Sequence, residues 1–130
     1  MDKKRTVLLV DDDVDYLFQM KLQFENGGYS VVTAESSKSG MEELTRVKPD
    51  IAVIDLMMED TDSGFTLAHK IKSLDTNIPV IMVTAVTSET GILLDKASSG
   101  SRDWIKADAV LAKPVRFEQL KREIEKLLRR

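Results

Sequence analysis

Residues 51–58 read Ile-Ala-Val-Ile-Asp-Leu-Met-Met, an apolar stretch interrupted by one carboxylate. Its first four residues are apolar and mostly β-branched, which is typical of a strand that is covered on both faces of a parallel sheet. Asp55 ends the apolar run, so the pattern predicts a carboxylate at the point where the strand leaves the sheet. Similar short runs lie on either side of this stretch along the chain.

Predicted strands and helices alternate. The strands are apolar and β-rich and cover residues 6–10, 29–34, 51–55, 80–84 and 110–112. The helices have apolar residues at helical spacing and cover residues 14–26, 37–47, 64–74 and 116–128, with a short one around 89–97. In the first helix we expect an apolar face of Val14, Leu17, Phe18, Leu22 and Phe24. Five strands alternating with five helices indicate right-handed βαβ units and a doubly wound α/β sheet.

Composition narrows the classes of function. The chain has 130 residues, 42% of them hydrophobic and 32% charged, which predicts a single globular domain over residues 1–130. The net charge of −3 argues against direct nucleic-acid binding, and the lack of cysteine excludes disulfides, thiolate zinc sites and cysteine nucleophiles. The one histidine, His69, is expected on the surface of the third helix. Apolar runs are too short for a membrane span or a secretory signal, so we expect a cytoplasmic protein.

Polar side chains follow four of the predicted strands: the triplet Asp11-Asp12-Asp13, then Asp55, Thr84 and Lys113. Since ligands bind outside the carboxyl ends of strands in such sheets, these side chains are expected to converge there. Two carboxylates about 4 Å apart repel by about 4 kcal/mol at an effective dielectric of about 20, so the cluster needs a proton or a cation. An oxygen-only ligand set favours Mg²⁺, and a carboxylate can attack phosphorus.

Each of these residues also has a plainer interpretation. The triplet could cap the first helix, and Asp55 could be a turn residue at a strand end. Thr84 could be a buried strand residue, and Lys113 a solvated surface charge. Their joint position at the ends of four strands favours a chemical site over four separate structural roles.

Four pieces of sequence resemble the receiver domain of two-component response regulators. They are residues 7–13, 49–58, 79–85 and 111–114, in the family's order and with compatible spacing. The resemblance covers essentially the whole chain and implies a flavodoxin-like strand order 2-1-3-4-5 with helices on both faces. It also implies a cis peptide bond between Lys113 and Pro114.

The resemblance implies a signalling switch rather than an enzyme. Asp55 would accept a phosphoryl group from a histidine kinase or phosphotransfer protein, and Thr84 and Lys113 would contact the phosphoryl oxygens. The implied cofactor is Mg²⁺, held by Asp11, Asp12 and Asp55, with the backbone carbonyl of Met57 as a further ligand. Asp12 would bind the ion directly and Asp11 mainly through water. The implied location is the cytoplasm, with no membrane partner.

Three departures from the family pattern matter. Val110 stands where an aromatic switch residue is usual, Glu59 stands where proline is usual, and the stretch between Thr84 and Lys113, which includes Trp104, is long. We therefore expect residues 86–107 to carry the response to phosphorylation. The fourth helix, fifth strand and fifth helix would then form the surface for an output partner or a dimer.

Two other functions stay open from the sequence. One, suggested by the departures from the family pattern, is an interaction module that has the fold but is not phosphorylated. The other is a Mg²⁺-dependent phosphohydrolase with Asp55 as nucleophile. Such an enzyme generally needs a second acid two residues after its nucleophile, where this chain has Met57.

Overall fold

One parallel sheet of five strands organises the chain in a computed structural model, which describes residues 4–56, 61–85 and 107–129 without the side chains of 61–63 and 85. The strand order is β2-β1-β3-β4-β5, which confirms the predicted order. All four strand pairs are parallel. The bounds are β1 (Thr6–Val10), β2 (Ser30–Ala34), β3 (Ile51–Asp55), β4 (Val80–Ala85) and β5 (Ala109–Lys113). Met57, Glu59, Trp104 and the helix predicted around 89–97 lie outside the described residues.

Helices α1 (Val14–Asn26), α2 (Ser37–Leu44) and α3 (Thr61–Leu74) connect the first four strands, and α4 (Phe117–Leu128) follows β5. Helix α1 has the predicted bounds because both of its ends are signalled locally. The Asp13 carboxylate accepts a hydrogen bond from the Tyr16 N–H at 3.1 Å and caps the first turn. After the helix, Gly28 has a φ of 95°, a left-handed conformation that glycine adopts without steric cost.

Helices α2 and α3 differ from their predicted bounds. Helix α2 ends at Leu44, three residues earlier than predicted, because its last turn tightens. The N–H groups of Thr45 and Arg46 bond to carbonyls three residues back, at 3.2 Å and 3.0 Å, rather than four. Helix α3 starts at Thr61, three residues before the predicted start at Gly64.

Apolar cores cover both faces of the sheet, as the doubly wound prediction requires. The core under α1 and α4 includes Leu9, Leu17, Phe24, Val53, Ile81, Leu120 and Ile124. The core under α2 and α3 includes Leu8, Val10, Ile54, Leu67, Ile71 and Met82. His69 is exposed on α3, as predicted. No helix in the described ranges has the length and apolar character to cross a bilayer.

The predicted apolar face of α1 is partly wrong. Val14, Phe18 and Leu22 are 52%, 62% and 48% exposed, whereas Leu17 and Phe24 are buried together with Met20, which the prediction left out. The buried residues follow spacings of three and four, so one face of the helix lies on the sheet. The exposed residues recur every fourth position and form a second apolar stripe on the outside, which we call the α1 stripe (Val14, Phe18 and Leu22).

Lys72 joins the end of α3 to the start of β5. Its Nζ donates to the carbonyls of Thr76 and Ile78 and to Asp108 Oδ2, the last two at 2.7 Å. Asp108 Oδ2 also accepts from the Val80 N–H at 2.8 Å. The Lys72 side chain is only 16% exposed, so these bonds are partly shielded from water.

Lys72→Met is expected to lower the free energy of unfolding by about 1–3 kcal/mol, because three acceptors lose a charged donor. Urea denaturation followed by circular dichroism measures this change. Arg46→Met is the matched control: Arg46 is 69% exposed in its pair with Glu43, and loss of such a surface pair costs less than about 1 kcal/mol. Equal effects of the two substitutions would contradict the prediction.

Candidate functional site

The sequence-predicted residues gather at the carboxyl edge of the sheet. Asp11 follows β1 directly, and its N–H continues the strand pairing by donating to the carbonyl of Ala34 at 3.0 Å. Asp55 is the last residue of β3 and its neighbour Leu56 bonds to β4 through the Val83 carbonyl at 2.8 Å. Both carboxylates are buried, at 5% exposure for Asp11 and 2% for Asp55.

Three carboxylates form a cluster that we call the acidic cluster (Asp11, Asp12 and Asp55). Each offers a carboxylate oxygen, and these oxygens lie within 4.8 Å of one another. Asp13 has a different role, because its side chain caps α1. The capping interpretation of the triplet therefore holds for Asp13, while Asp11 and Asp12 belong to the cluster. The Asp13 N–H orients Asp11 by donating to its Oδ1 at 2.9 Å.

Lys113, the last residue of β5, brings a cation to the acidic cluster. Its Nζ donates to Asp55 Oδ2 at 3.0 Å, and the Asp55 side chain in this pair is 1% exposed. Burial lowers the pKa of the Lys113 ammonium, but the hydrogen bond to Asp55 and the charges of Asp55, Asp11 and Asp12 outweigh it, so the pKa is raised. The ammonium therefore stays charged at neutral pH. The next peptide bond, Lys113–Pro114, is cis, as the family resemblance implied.

Asp11 is the carboxylate whose ionisation the site opposes. Burial, and after it the negative charge of Asp55, raise the pKa of Asp11 to about 6. The Asp13 N–H and the Lys113 ammonium act in the other direction, but they do not cancel the effect of burial. Among the described residues, the site therefore holds three carboxylates against the one ammonium of Lys113.

Thr84 lies at the same edge, fully buried near the end of β4. Asp55 pairs in register with Val83, so Thr84 is one residue further along the neighbouring strand. Strand alternation puts Thr84 on the same face as Met82, the residue that pairs with Val110 of β5. Val110 packs against the core under α2 and α3 and is partly buried. Val110, which stands at the aromatic position of the family pattern, therefore lies on the same face of the sheet as Thr84.

The donor set of the acidic cluster fits Mg²⁺. It offers carboxylate oxygens on three side chains, and neither histidine nor cysteine belongs to it. Hard oxygen donors suit this ion, and the exposed Asp12 leaves access for the waters of hydration that Mg²⁺ keeps. The cation would also relieve the repulsion among the three carboxylates.

A groove that no sequence pattern predicted lies beside the site. It has a volume of about 740 Å³ and runs between α1 and the start of α4, with Asp11 and Lys113 at one end and Met20 and Phe117 along its walls. Tyr16 also lines it, and the Tyr16 hydroxyl donates to the Val115 carbonyl at 3.4 Å. These two residues are 99 positions apart, so no local pattern signals their contact.

Known proteins resemble this chain in sequence and in fold. Residues 7–125 match the family described as response regulator receiver domain. The chain is 34% identical over 130 residues to the transcriptional regulatory protein RprY of Bacteroides fragilis, covering all of this chain and 52% of that protein. It also resembles a CheY-like receiver domain structure from Methanospirillum hungatei, with a TM-score of 0.81 and 28% identity over 98% of this chain and 95% of the other.

A third comparison supports the fold alone. The structure of the response regulator TrrA from Thermotoga maritima, in complex with Mg²⁺ and BeF, has a TM-score of 0.74 at 24% identity, over 95% of this chain and 98% of TrrA. The chain spans about half the length of RprY and a smaller share, 18%, of the Escherichia coli regulator GlrR.

Proposed function

Because this chain belongs to the response regulator receiver domain family of two-component systems, we propose that it is a phosphorylatable switch whose acceptor is Asp55. The observation that carries the proposal is the Lys113 Nζ, 3.0 Å from the buried Asp55 carboxylate and beside the acidic cluster. The donor would be the phosphohistidine of a histidine kinase or phosphotransfer protein. The proposed unit is a single receiver domain over residues 1–130, and the expected location is the cytoplasm.

The transfer follows from the charges around Asp55. An Asp55 carboxylate oxygen attacks phosphorus, the P–N bond to the donor imidazole breaks, and the leaving nitrogen takes up a proton from water. Lys113 neutralises part of the negative charge that gathers on the phosphoryl oxygens. The buried Thr84 hydroxyl would donate a hydrogen bond to the phosphoryl group of the product. The chain thus supplies groups for its own modification and does not turn over a separate substrate.

Mg²⁺ would be held by Asp11, Asp12 and Asp55, with the backbone carbonyl of Met57 as a further ligand. Bound there, it would neutralise phosphoryl charge and lower the repulsion between the incoming phosphate and the carboxylates. Asp12 is the exposed member of the acidic cluster, which suits a direct ligand that shares the ion with water. Asp11, which is buried, is proposed to act mainly through water.

Acetyl phosphate with Mg²⁺, followed by intact-mass spectrometry, tests the proposed function. We expect the mass to increase by one phosphoryl group and the increase to disappear when the metal is chelated. An unchanged mass with a folded protein would favour the non-phosphorylated interaction module. Sustained hydrolysis of a general phosphate ester would favour the phosphohydrolase instead.

The α1 stripe suggests where the phosphodonor protein docks. Val14 directly follows the acidic triplet, so a protein that delivers a phosphoryl group to Asp55 has to approach this end of α1. Phe18, at 62% exposure, and Leu22 continue the stripe along the helix. We propose that an amphipathic helix of the histidine-bearing donor covers it, because such a helix would bury three apolar side chains that are otherwise in water. The output surface predicted at β5 and the neighbouring helices stays a prediction.

Phe18→Asp is expected to slow phosphotransfer at least about tenfold from a histidine kinase that phosphorylates the wild-type chain, because the substitution puts a charge at the centre of the docking surface. Phosphorylation by acetyl phosphate should be unchanged, since the small donor needs no docking surface. Leu74→Asp is the matched control. Leu74 is 46% exposed but lies at the far end of α3, so its rate with the kinase should equal that of the wild type. Equal slowing of both variants would contradict the docking proposal.

A further inference from the structure

Tyr16 connects the first turn of α1 to the chain that follows Lys113. Its hydroxyl donates to the Val115 carbonyl at 3.4 Å, and Val115 is 6% exposed within the core under α1 and α4. Val115 is the second residue after Lys113, so this carbonyl belongs to the short segment that leaves the end of β5. The contact therefore holds the backbone close to the ammonium that neutralises Asp55.

The Tyr16 side chain lines the groove and is near enough to the acidic cluster for the charges of Asp11 and Asp55 to act on it. It is half-buried, and burial together with the charges of Asp11, Asp55 and Asp13 raises the pKa of its phenol to about 12. The hydroxyl is therefore protonated at neutral pH and available as a donor. Its ring packs against the α1 and α4 core, so the hydroxyl is presented from a supported position.

Lys113 needs this support more than the carboxylates do. It ends β5, which lies at the edge of the sheet and pairs with β4 on one side. Its side chain is 36% exposed and has four rotatable bonds, so the position of Nζ depends on how well the backbone is fixed. Phosphoryl transfer is sensitive to this position because catalysis there rests on placing charge against the phosphoryl oxygens.

We propose that Tyr16 is a positioning residue for phosphoryl transfer: through the Val115 carbonyl it fixes the segment after Lys113 and keeps the ammonium directed at Asp55. The proposal rests on the proposed function, since it concerns the same transfer. Tyr16 has no contact with the phosphoryl group in this scheme and acts through Lys113.

Tyr16→Phe tests the proposal, because it removes the hydroxyl and keeps the ring in the groove. The maximal rate of phosphorylation by acetyl phosphate at saturating Mg²⁺ should fall about threefold to tenfold, the range expected from one hydrogen bond. The half-saturating Mg²⁺ concentration and the circular dichroism spectrum should stay those of the wild type. Tyr29→Phe is the matched control; Tyr29 packs edge-on against Phe24, away from Lys113, and its rate should be unchanged.

A double-mutant cycle separates positioning from a general effect on structure. In a Lys113→Met background the hydroxyl has no ammonium to position, so Tyr16→Phe should change the residual rate less than about 1.5-fold. The same threefold to tenfold drop in both backgrounds would overturn the proposal, and so would an unchanged rate in the single variant. If the wild-type chain is not phosphorylated at all, the proposed function fails and this proposal fails with it. If the wild type is phosphorylated and Tyr16→Phe matches it, the positioning role alone fails.

Discussion

Asp55→Asn is expected to abolish phosphorylation by acetyl phosphate and Mg²⁺, measured as the loss of the phosphoryl mass increment under conditions that label the wild type completely. Asparagine keeps the size and the planar shape of the side chain, and its amide oxygen can still accept the hydrogen bond that Lys113 donates at 3.0 Å. It lacks the charge and the nucleophilicity of a carboxylate, so the bond to phosphorus cannot form. The variant therefore separates the chemistry of Asp55 from its place in the fold.

Asp15→Asn provides the control for this substitution. Asp15 is an exposed carboxylate in the first turn of α1, outside the acidic cluster, and the same chemical change there should leave phosphorylation at the wild-type level. Continued labelling of Asp55→Asn with one phosphoryl group would mean that another carboxylate is the acceptor. Peptide mapping would then identify it, with Asp11 and Asp12 as the nearest alternatives.

The strand ends were predictable because they follow from chain direction. Parallel strands put their carboxyl ends at one edge, so Asp11, Asp55 and Lys113 had to lie near one another once the strands were recognised. The sequence does not determine how close they come. The contact of Lys113 with Asp55 also depends on the register between β4 and β5 and on side-chain torsions. The separation of Asp13 from its two neighbours depends on where the first turn of α1 begins.

The orientation of α1 could not be predicted, because its apolar residues cover more than one face. Leu17 and Phe24 are consistent with the buried face, and Phe18 and Leu22 with a second face about 100° away. Contacts made by other parts of the chain decide between them: Phe24 packs edge-on against Phe117 of α4, with ring centroids 4.8 Å apart. The contact of Tyr16 could not be predicted either, because its partner Val115 lies 99 residues away in the sequence.

The second large effect concerns Asp11 in the metal-free protein. Its pKa is about 6 in the folded protein against an ordinary value of 3.8. Between these two values the unfolded chain has lost the proton that the folded chain still binds, so the free energy of unfolding falls as the pH rises from about 4 to about 6. Above that range the full cost remains, on the order of 1–3 kcal/mol.

Asp11→Asn should remove that cost. At pH 7 without metal, urea denaturation should give a free energy of unfolding higher than that of the wild type by about 1–3 kcal/mol, with a flatter dependence between pH 4 and 6. The asparagine oxygen can still accept the Asp13 N–H, which donates to Asp11 at 2.9 Å, so the turn before α1 is retained. Asp15→Asn, at an exposed position, should match the wild type.

Mg²⁺ should reduce the stability advantage of the Asp11→Asn variant. An ion that binds the folded acidic cluster stabilises the wild type by mass action, by about 2.7 kcal/mol at a concentration 100 times its dissociation constant. Asp11→Asn should lose part of this increment, and Asp12→Asn should lose more, because Asp12 is the proposed direct ligand. The carboxylates whose mutual repulsion lowers the free energy of unfolding of the metal-free protein would thus be the ones that bind the cation. Their repulsion would also disfavour phosphorylation of Asp55 until the cation is present. A lower free energy of unfolding for metal-free Asp11→Asn, or an increment equal to that of the wild type, would contradict this account.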